Sequence, residues 1–268
     1  MITSTDNQTV KEARALLEPK GRREQGRFLV EGVRLIEEAL KAGMPPAFLF
    51  HLPEARGNAR AAALLQTAAG AGLRVVELAP KVYQSLADTV TSQGVIAALP
   101  IPRVPPPPCP TFNLVLDQLR DPGNMGAILR GAEAAGVDRV LLTPGCVDPW
   151  SPKVVRSGMG AHFRLPIVVV QTWEAVDEAL RGISVWLSDA RGAQSYDEVD
   201  WTRPFALVIG GEAAGYTPQA WREPSGRVSI PIADPVQSLN AAMAATVLMF
   251  EAARQRRVSH TKRGQIVR

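Results

Sequence analysis

Apolar positions change their period along this chain, and the changes mark out its elements. In the first hundred residues, short β-branched or aromatic runs alternate with stretches whose apolar residues recur at the three-to-four spacing of a helix face. Helices are predicted at 11–17, 33–42, 59–69 and 81–87, and strands at 28–30, 47–50, 74–78 and 94–99. The stretch ALPIPRVPPPPCPT at 98–111 breaks this rhythm. Each proline lacks an amide donor and fixes its own φ, so the stretch reads as a stiff polyproline spacer. The expected organisation is an N-terminal domain at 1–104, a linker at 105–111 and a C-terminal domain at 112–268.

Beyond the spacer, strands are predicted at 114–116, 139–142, 167–170, 184–187, 206–209 and 228–232, and helices at 125–135, 152–159, 174–180 and 239–255. Unbroken apolar runs such as VLLT and IVVV suit a parallel sheet covered on both faces. Both halves therefore read as α/β. In the last helix Leu239, Met243, Val247 and Phe250 share one face, expected to be buried. Ala242, Ala245, Leu248 and Met249 extend the apolar surface around the helix. Such a helix needs cover on nearly all sides, from its own sheet and from a symmetric partner.

Composition narrows the class. Of 268 residues, 46% are hydrophobic and 21% charged, as in ordinary globular proteins. No apolar run approaches the roughly 20 residues that span a bilayer, and the first residues lack a signal-peptide core. A cytoplasmic protein is expected. Cys109 and Cys146 suggest neither a disulfide framework nor a thiolate site, and His51, His162 and His260 have no ligand spacing, so no metal is expected. A net charge of +4, concentrated in KGRREQGR from Lys20 and RQRRVSHTKRGQIVR from Arg254, tilts toward a polyanionic partner.

Three segments carry the chemistry. LVLDQLRDPGNMGAILRGAEAAGVDRVLL from Leu114 is a strand, a DPGN turn, a helix closed by Gly136 and a second strand. FALVIGGEAAGYTP from Phe205 is a buried strand emptying into a glycine-rich turn that holds Glu212. IPIADPVQSLNAAMAATVLMFEAARQR from Ile230 brings Gln237, Ser238 and Asn240 to the mouth of a helix. The second segment matches neither GxGxxG nor a phosphate-binding loop, and a carboxylate in its turn would repel a pyrophosphate.

In order and spacing, and together with SPKVVRSGMGAHFRLPI from Ser151, these segments resemble the motifs of the SpoU/TrmH family, ribose 2'-O-methyltransferases of the SPOUT class. The resemblance covers residue 114 to the C-terminus. It implies a parallel sheet with a deep trefoil knot, a homodimer, and S-adenosylmethionine as cofactor, a ligand without phosphate and with a cationic sulfonium. GRFLVEGVRLIEEALKAG and SQGVIAAL are similar to the substrate-binding domain that precedes many such catalytic domains, a small α/β fold like that of a ribosomal-protein family that binds RNA kinks. Ribosomal RNA is favoured over transfer RNA as the substrate.

By the same resemblance Asn124, Arg130, Glu212, Ser238 and Asn240 form the catalytic set. Backbone groups at Gly210, Ile230 and Leu239 would hold the cofactor, with Gly211 allowing close approach and Ser188 beside the adenosine. Read without the resemblance, Asn124 is a helix N-cap, Arg130 a surface partner of Glu133, and 238–240 a polar helix start. A non-catalytic RNA-binding protein of the same fold is the principal rival. A guanidinium, with a pKa above about 12, does not serve readily as a base, so Arg130 would orient the hydroxyl and stabilise alkoxide charge.

Overall fold

Between Pro100 and Phe112 the chain forms no regular element, because its prolines withhold the amide donors a ladder or helix needs. The computed structural model describes residues 1–89, 92–211, 215–220 and 224–265, with side chains as far as Ser259. Two compact units result: residues 1–103 with 148–164, and residues 104–147 with 165–268.

The first unit begins with α1 (Gln8–Ala15), capped by the Asn7 side chain, and α2 (Pro19–Gln25). β1 (Arg27–Glu31), α3 (Val33–Lys41), β2 (Phe48–His51), α4 (Ala59–Gly70), β3 (Val75–Glu77), α5 (Pro80–Gln84) and β4 (Val95–Pro100) follow. The strands form a sheet in the order β1-β4-β2-β3. β4 runs antiparallel to both neighbours, while β2 and β3 are parallel. Phe48, Phe50, Leu78, Val82 and Ile96 pack with Val10 and Leu16 to form its core.

The pattern of apolar positions did not foretell α2. Its sequence PKGRREQ has no apolar stripe, and it is fixed by contacts instead. A Cβ on Gly21 would fall 2.0 Å from the Ala15 carbonyl oxygen, so only glycine permits the approach to α1. Arg22, 2% exposed, donates to the carbonyls of Leu16 and Leu17 and pairs with Asp148 at 2.7 Å. The basic run at 20–27 is thus partly interior. An ion this deep is tolerated because each of its three nitrogens has an acceptor.

The second unit opens with β5 (Phe112–Asp117), α6 (Pro122–Ala135) and β6 (Arg139–Leu142). At Asp148 the chain joins the first unit. There α7 (Pro152–Gly158) and a 3-10 turn (Ala161–Phe163) dock by the Arg22–Asp148 pair, an Arg156–Asp88 pair and an Arg164–Glu38 pair. Trp150 packs between Phe28, 5.1 Å away, and His162, 5.3 Å away, with its ring tilted to both. The sequence reading kept this segment with the C-terminal half, since periodicity shows that a face is buried but not what covers it.

Back in the second unit come β7 (Ile167–Val169), α8 (Trp173–Ala179), β8 (Ser184–Ser188), β9 (Gln194–Ser195), β10 (Phe205–Gly210), β11 (Gly226–Ser229) and α9 (Ala241–Gln265). Among the described residues seven strands lie in the order β7-β6-β5-β10-β8-β11-β9. Every adjacent pair is parallel, as the unbroken apolar runs required. β11 stops three residues short of its predicted end because Pro231 has no amide to continue the ladder. β9, only two residues long, left no periodic trace. No helix among the described residues is long and apolar enough to cross a membrane.

α9 corrects one expectation. Leu239, Met243, Val247 and Phe250, read as its buried face, are exposed, whereas Ala242, Ala245, Leu248, Met249, Ala252 and Ala253 are buried. The small residues win because α9 packs closely on α6: a Cβ on Gly131 would sit 3.2 Å from Met249 Cε and 3.4 Å from Thr246 Oγ1. Farther along, the Arg256 guanidinium reaches Thr111 and lies 5.6 Å from the centre of the Phe112 ring.

His162 makes the first unit sensitive to pH. Its ring is fully buried, Nε2 meets the Pro149 carbonyl at 2.8 Å, and Nδ1 has no partner among the described residues. Burial therefore lowers its pKa from 6.5 to about 4. The unfolded chain takes up this proton first as pH falls, so the stability His162 contributes is complete above pH 6.5 and is lost toward pH 4. The loss is on the order of 3 kcal/mol. In urea melts the stability gap between the native protein and a His162→Gln variant should narrow as pH drops through this window; a constant gap would contradict a neutral, buried ring.

Candidate active site

The parallel sheet delivers its strand ends to one rim, and a cavity of about 410 Å³ opens there. Ile209, Gly210 and Gly211 arrive from β10, and Ser188 and Asp189 from β8. Ile230, Ile232, Ser238, Leu239 and Asn240 come from the loop after β11, and Ala241 and Ala244 from the first turn of α9. That volume suits a small organic ligand, typically held in pockets of roughly 300–1,000 Å³.

The glycines are sterically required. A Cβ on Gly210 would lie 2.9 Å from the Gly215 carbonyl oxygen, and one on Gly211 2.4 Å from that of Gln118. Gly211 and Gly215 exchange backbone hydrogen bonds of 3.1 Å, closing the turn. Tyr216 then folds back so that its hydroxyl meets the carbonyls of Val208, at 3.0 Å, and Ser188. This pins β8 to β10 at the cavity wall. Burial pushes the Tyr216 phenol up, so it stays protonated.

At the mouth, Asn240 caps α9 by accepting from the amides of Ala242, at 2.9 Å, and Met243, at 3.3 Å. Its Nδ2 donates to Asn124 Oδ1 at 3.0 Å. The 238–240 stretch thus starts a helix and also lines the cavity. Asn124 is not the cap of α6; that role belongs to Asp121, whose carboxylate accepts from the Asn124 amide at 2.7 Å.

Of the residues singled out from sequence, Ser188, Gly210, Gly211, Ile230, Ser238, Leu239 and Asn240 line this one cavity. Asn124 stands one hydrogen bond behind it. Arg130 is exposed on α6, about 9 Å farther along the axis and on another side of the helix from Asn124, and is not part of the wall. Glu212 falls outside the described residues. Tyr216 and Ile232 were not singled out; an aromatic directly after a glycine turn was the available signal for Tyr216.

Among its described residues the lining has no Lys or Arg and carries one carboxylate, Asp189, which accepts from the Arg191 amide at 2.9 Å and pairs with Arg227 at 3.1 Å. Among the described lining residues a phosphate would meet no cationic side chain. An uncharged or cationic ligand with hydroxyl groups fits them. Among the described residues no group of three or more His, Cys, Asp or Glu could hold a metal ion.

Comparison with known proteins agrees with this geometry. Residues 111–250 match the SpoU rRNA Methylase family, and residues 7–97 match an MRM3-like substrate binding domain. The chain is 37% identical to the mitochondrial rRNA methyltransferase 3 of Mus musculus, over 88% of this chain and 69% of that one. It is 31% identical to the 23S rRNA (guanosine(2553)-2'-O)-methyltransferase RlmP of Bacillus subtilis, over 93% of this chain and 97% of the relative. Its fold superposes with a TM-score of 0.83 on the SpoU methyltransferase AviRb of Streptomyces viridochromogenes, solved with the cofactor AdoMet, at 31% identity over 93% of this chain and 98% of that one. Matched over half its length by the family model and along nearly all of it by full-length relatives, the chain belongs to the SpoU rRNA methylase family.

Proposed function

We propose that this protein transfers a methyl group from S-adenosylmethionine to a ribose 2'-hydroxyl of structured RNA, ribosomal RNA in the first instance. The carrying observation is the cavity at the rim of the parallel sheet, free of basic residues along its described lining and tied to Asn124 through Asn240. Incubating the purified protein with labelled S-adenosylmethionine and total RNA tests the reading, and mapping the labelled ribose identifies the nucleotide. RNA bound without transfer of label would favour a non-catalytic binder instead.

In this reading S-adenosylmethionine supplies an activated methyl group. Backbone groups at Gly210, Ile230 and Leu239 hold the cofactor, Ser188 and Asp189 meet its hydroxyls, and Ile209, Ile232 and Ala244 exclude water around it. Asn124 and Asn240 fix the relative position of the α6 and α9 entries, and Ser238 and Glu212 belong to the same catalytic set. Arg130 orients the ribose and stabilises charge developing on its oxygen; it does not remove the proton. Holding the reacting groups in line supplies much of the rate, as effective molarities show for oriented reactions.

The N-terminal unit is proposed to grip the RNA, which its match to a substrate binding domain supports. Removing residues 1–104 is a poor test of that role, because it would strip the cover from Trp150, Val154, Val155 and Phe163. A homodimer is proposed on the exposed stripe of Met243, Val247 and Phe250, the apolar side of α9 left after α6 covers the other. The trefoil knot expected of the family and a cytoplasmic location, where ribosomes are assembled, belong to the same reading.

Arg130→Ala should lower methyl transfer by at least a hundredfold while S-adenosylmethionine affinity, read by calorimetry, stays within a few-fold. A comparable loss of cofactor binding would place Arg130 in the wrong role. Gly210→Val should weaken cofactor binding more than tenfold, since its Cβ starts 2.9 Å from the Gly215 carbonyl oxygen. Tight binding by that variant would put the cofactor elsewhere. Met243→Glu should convert a dimer into a monomer in sedimentation; a native protein already monomeric at micromolar concentration would refute the dimer.

A further inference from the structure

We propose that Asp117 is a positioning residue of the methyl-transfer site, acting through Thr217 on the wall of the cofactor cavity; the proposal rests on the reading that this cavity holds S-adenosylmethionine. Asp117 ends β5 and is 0% exposed. A carboxylate cut off from water persists only where hydrogen-bond donors replace its hydration. Here they come from two other strand ends. Thr143, just past β6, donates its hydroxyl to Oδ1 at 2.8 Å. Thr217, in the loop after β10, donates to Oδ2 twice, from its amide at 2.7 Å and from its hydroxyl at 3.0 Å.

Thr217 directly follows Gly215 and Tyr216, both of which line the cavity. The neighbouring contact points the same way. Gly211 sits so close to Gln118 that a Cβ would lie 2.4 Å from its carbonyl oxygen. Gln118 holds a φ of 52°, a left-handed conformation that a residue with a side chain rarely adopts. Such strain persists where surrounding contacts over-determine it. The end of β5 is thereby turned so that its last carboxylate and the next carbonyl both press on the loop after β10. One buried acid thus sets the spacing between the DPGN strand and the glycine turn, and with it the cavity wall that Tyr216 forms.

The chemistry separates two substitutions. Asparagine can keep Oδ1 toward Thr217 and turn Nδ2 toward the Thr143 hydroxyl, which can accept. Alanine removes the acceptor from all of these donors, that of Thr143 buried and those of Thr217 partly so. Titrating S-adenosylmethionine in methyl-transfer assays of Asp117→Ala, Asp117→Asn and Thr217→Ala reads the difference. Asp117→Ala should raise KM for the cofactor at least tenfold, more than it lowers kcat. Asp117→Asn should stay within about threefold of the native KM. Thr217→Ala should reproduce part of the rise and add little to Asp117→Ala in the double variant. A purely structural role would lower the Tm of these variants and leave the KM of the folded protein unchanged. That outcome overturns the proposal, as would additive effects in the double variant. Should Asp117→Ala fail to fold, Thr217→Ala decides alone: a KM within twofold of native refutes the link. A native protein that does not bind S-adenosylmethionine refutes the cofactor reading itself and takes this proposal with it.

Discussion

β10 is the strand on which the site depends, because it is held in parallel register by neighbours on both sides and has one place to leave the sheet. Its pairing with β5 runs from Phe205 opposite Phe112 to Gly210 opposite Asp117, and its pairing with β8 fixes the other edge. Phe205 to Ile209 are buried, so neither face can shift without exposing apolar surface. Parallel pairing aligns strand ends, and a ligand at that rim meets several of them at once. Gly210 and Gly211 then let the chain turn where any side chain would collide with backbone. The aromatic packing at the opposite end, where Trp201 and Phe112 each lie 4.7 Å from Phe205, anchors the strand's start.

α9 links this rim to the surface. Its first residues line the cavity, its alanine-rich side with Leu248 and Met249 is buried where it packs on α6, and Met243, Val247 and Phe250 face outward. Small residues allow two helix axes to approach, and a glycine at the crossing allows it most. Asn240 serves both ends of this arrangement, capping the helix with its oxygen and reaching Asn124 with its nitrogen. Loss of that side chain would therefore disturb the helix start as well as the link to α6. The two consequences have one origin, the limited set of donors and acceptors that an amide offers.

The excursion at residues 148–164 has a different logic. A stretch that continues the C-terminal half in sequence contributes α7, Trp150 and His162 to the N-terminal unit's packing. Arg22 carries a charge inside that unit because Asp148 is brought to it from 126 positions away. The proline spacer thus marks a break in secondary structure without being the only covalent connection between the units.

The hydrophobic period, the prolines and the glycines determined most of the elements, though not α2 or β9: the parallel sheet was readable in runs such as VLLT, and the DPGN turn and the glycine turn were readable as the places where strands end. The resemblance of three segments to a known family also marked out much of the cavity's lining; read without it, the loop that carries Ser238 and Asn240 is only a polar helix start. Only tertiary structure decided which side of α9 is buried, because Leu239, Met243, Val247 and Phe250 form as good an apolar stripe as the alanine side and the choice fell to close approach at Gly131. It also decided the partner of α7, the burial of Arg22 and the setting of Asp117, whose carboxylate ends an ordinary apolar strand. Each of these depends on atoms far away in sequence, and a local pattern carries no information about which distant donor will arrive to satisfy a buried charge.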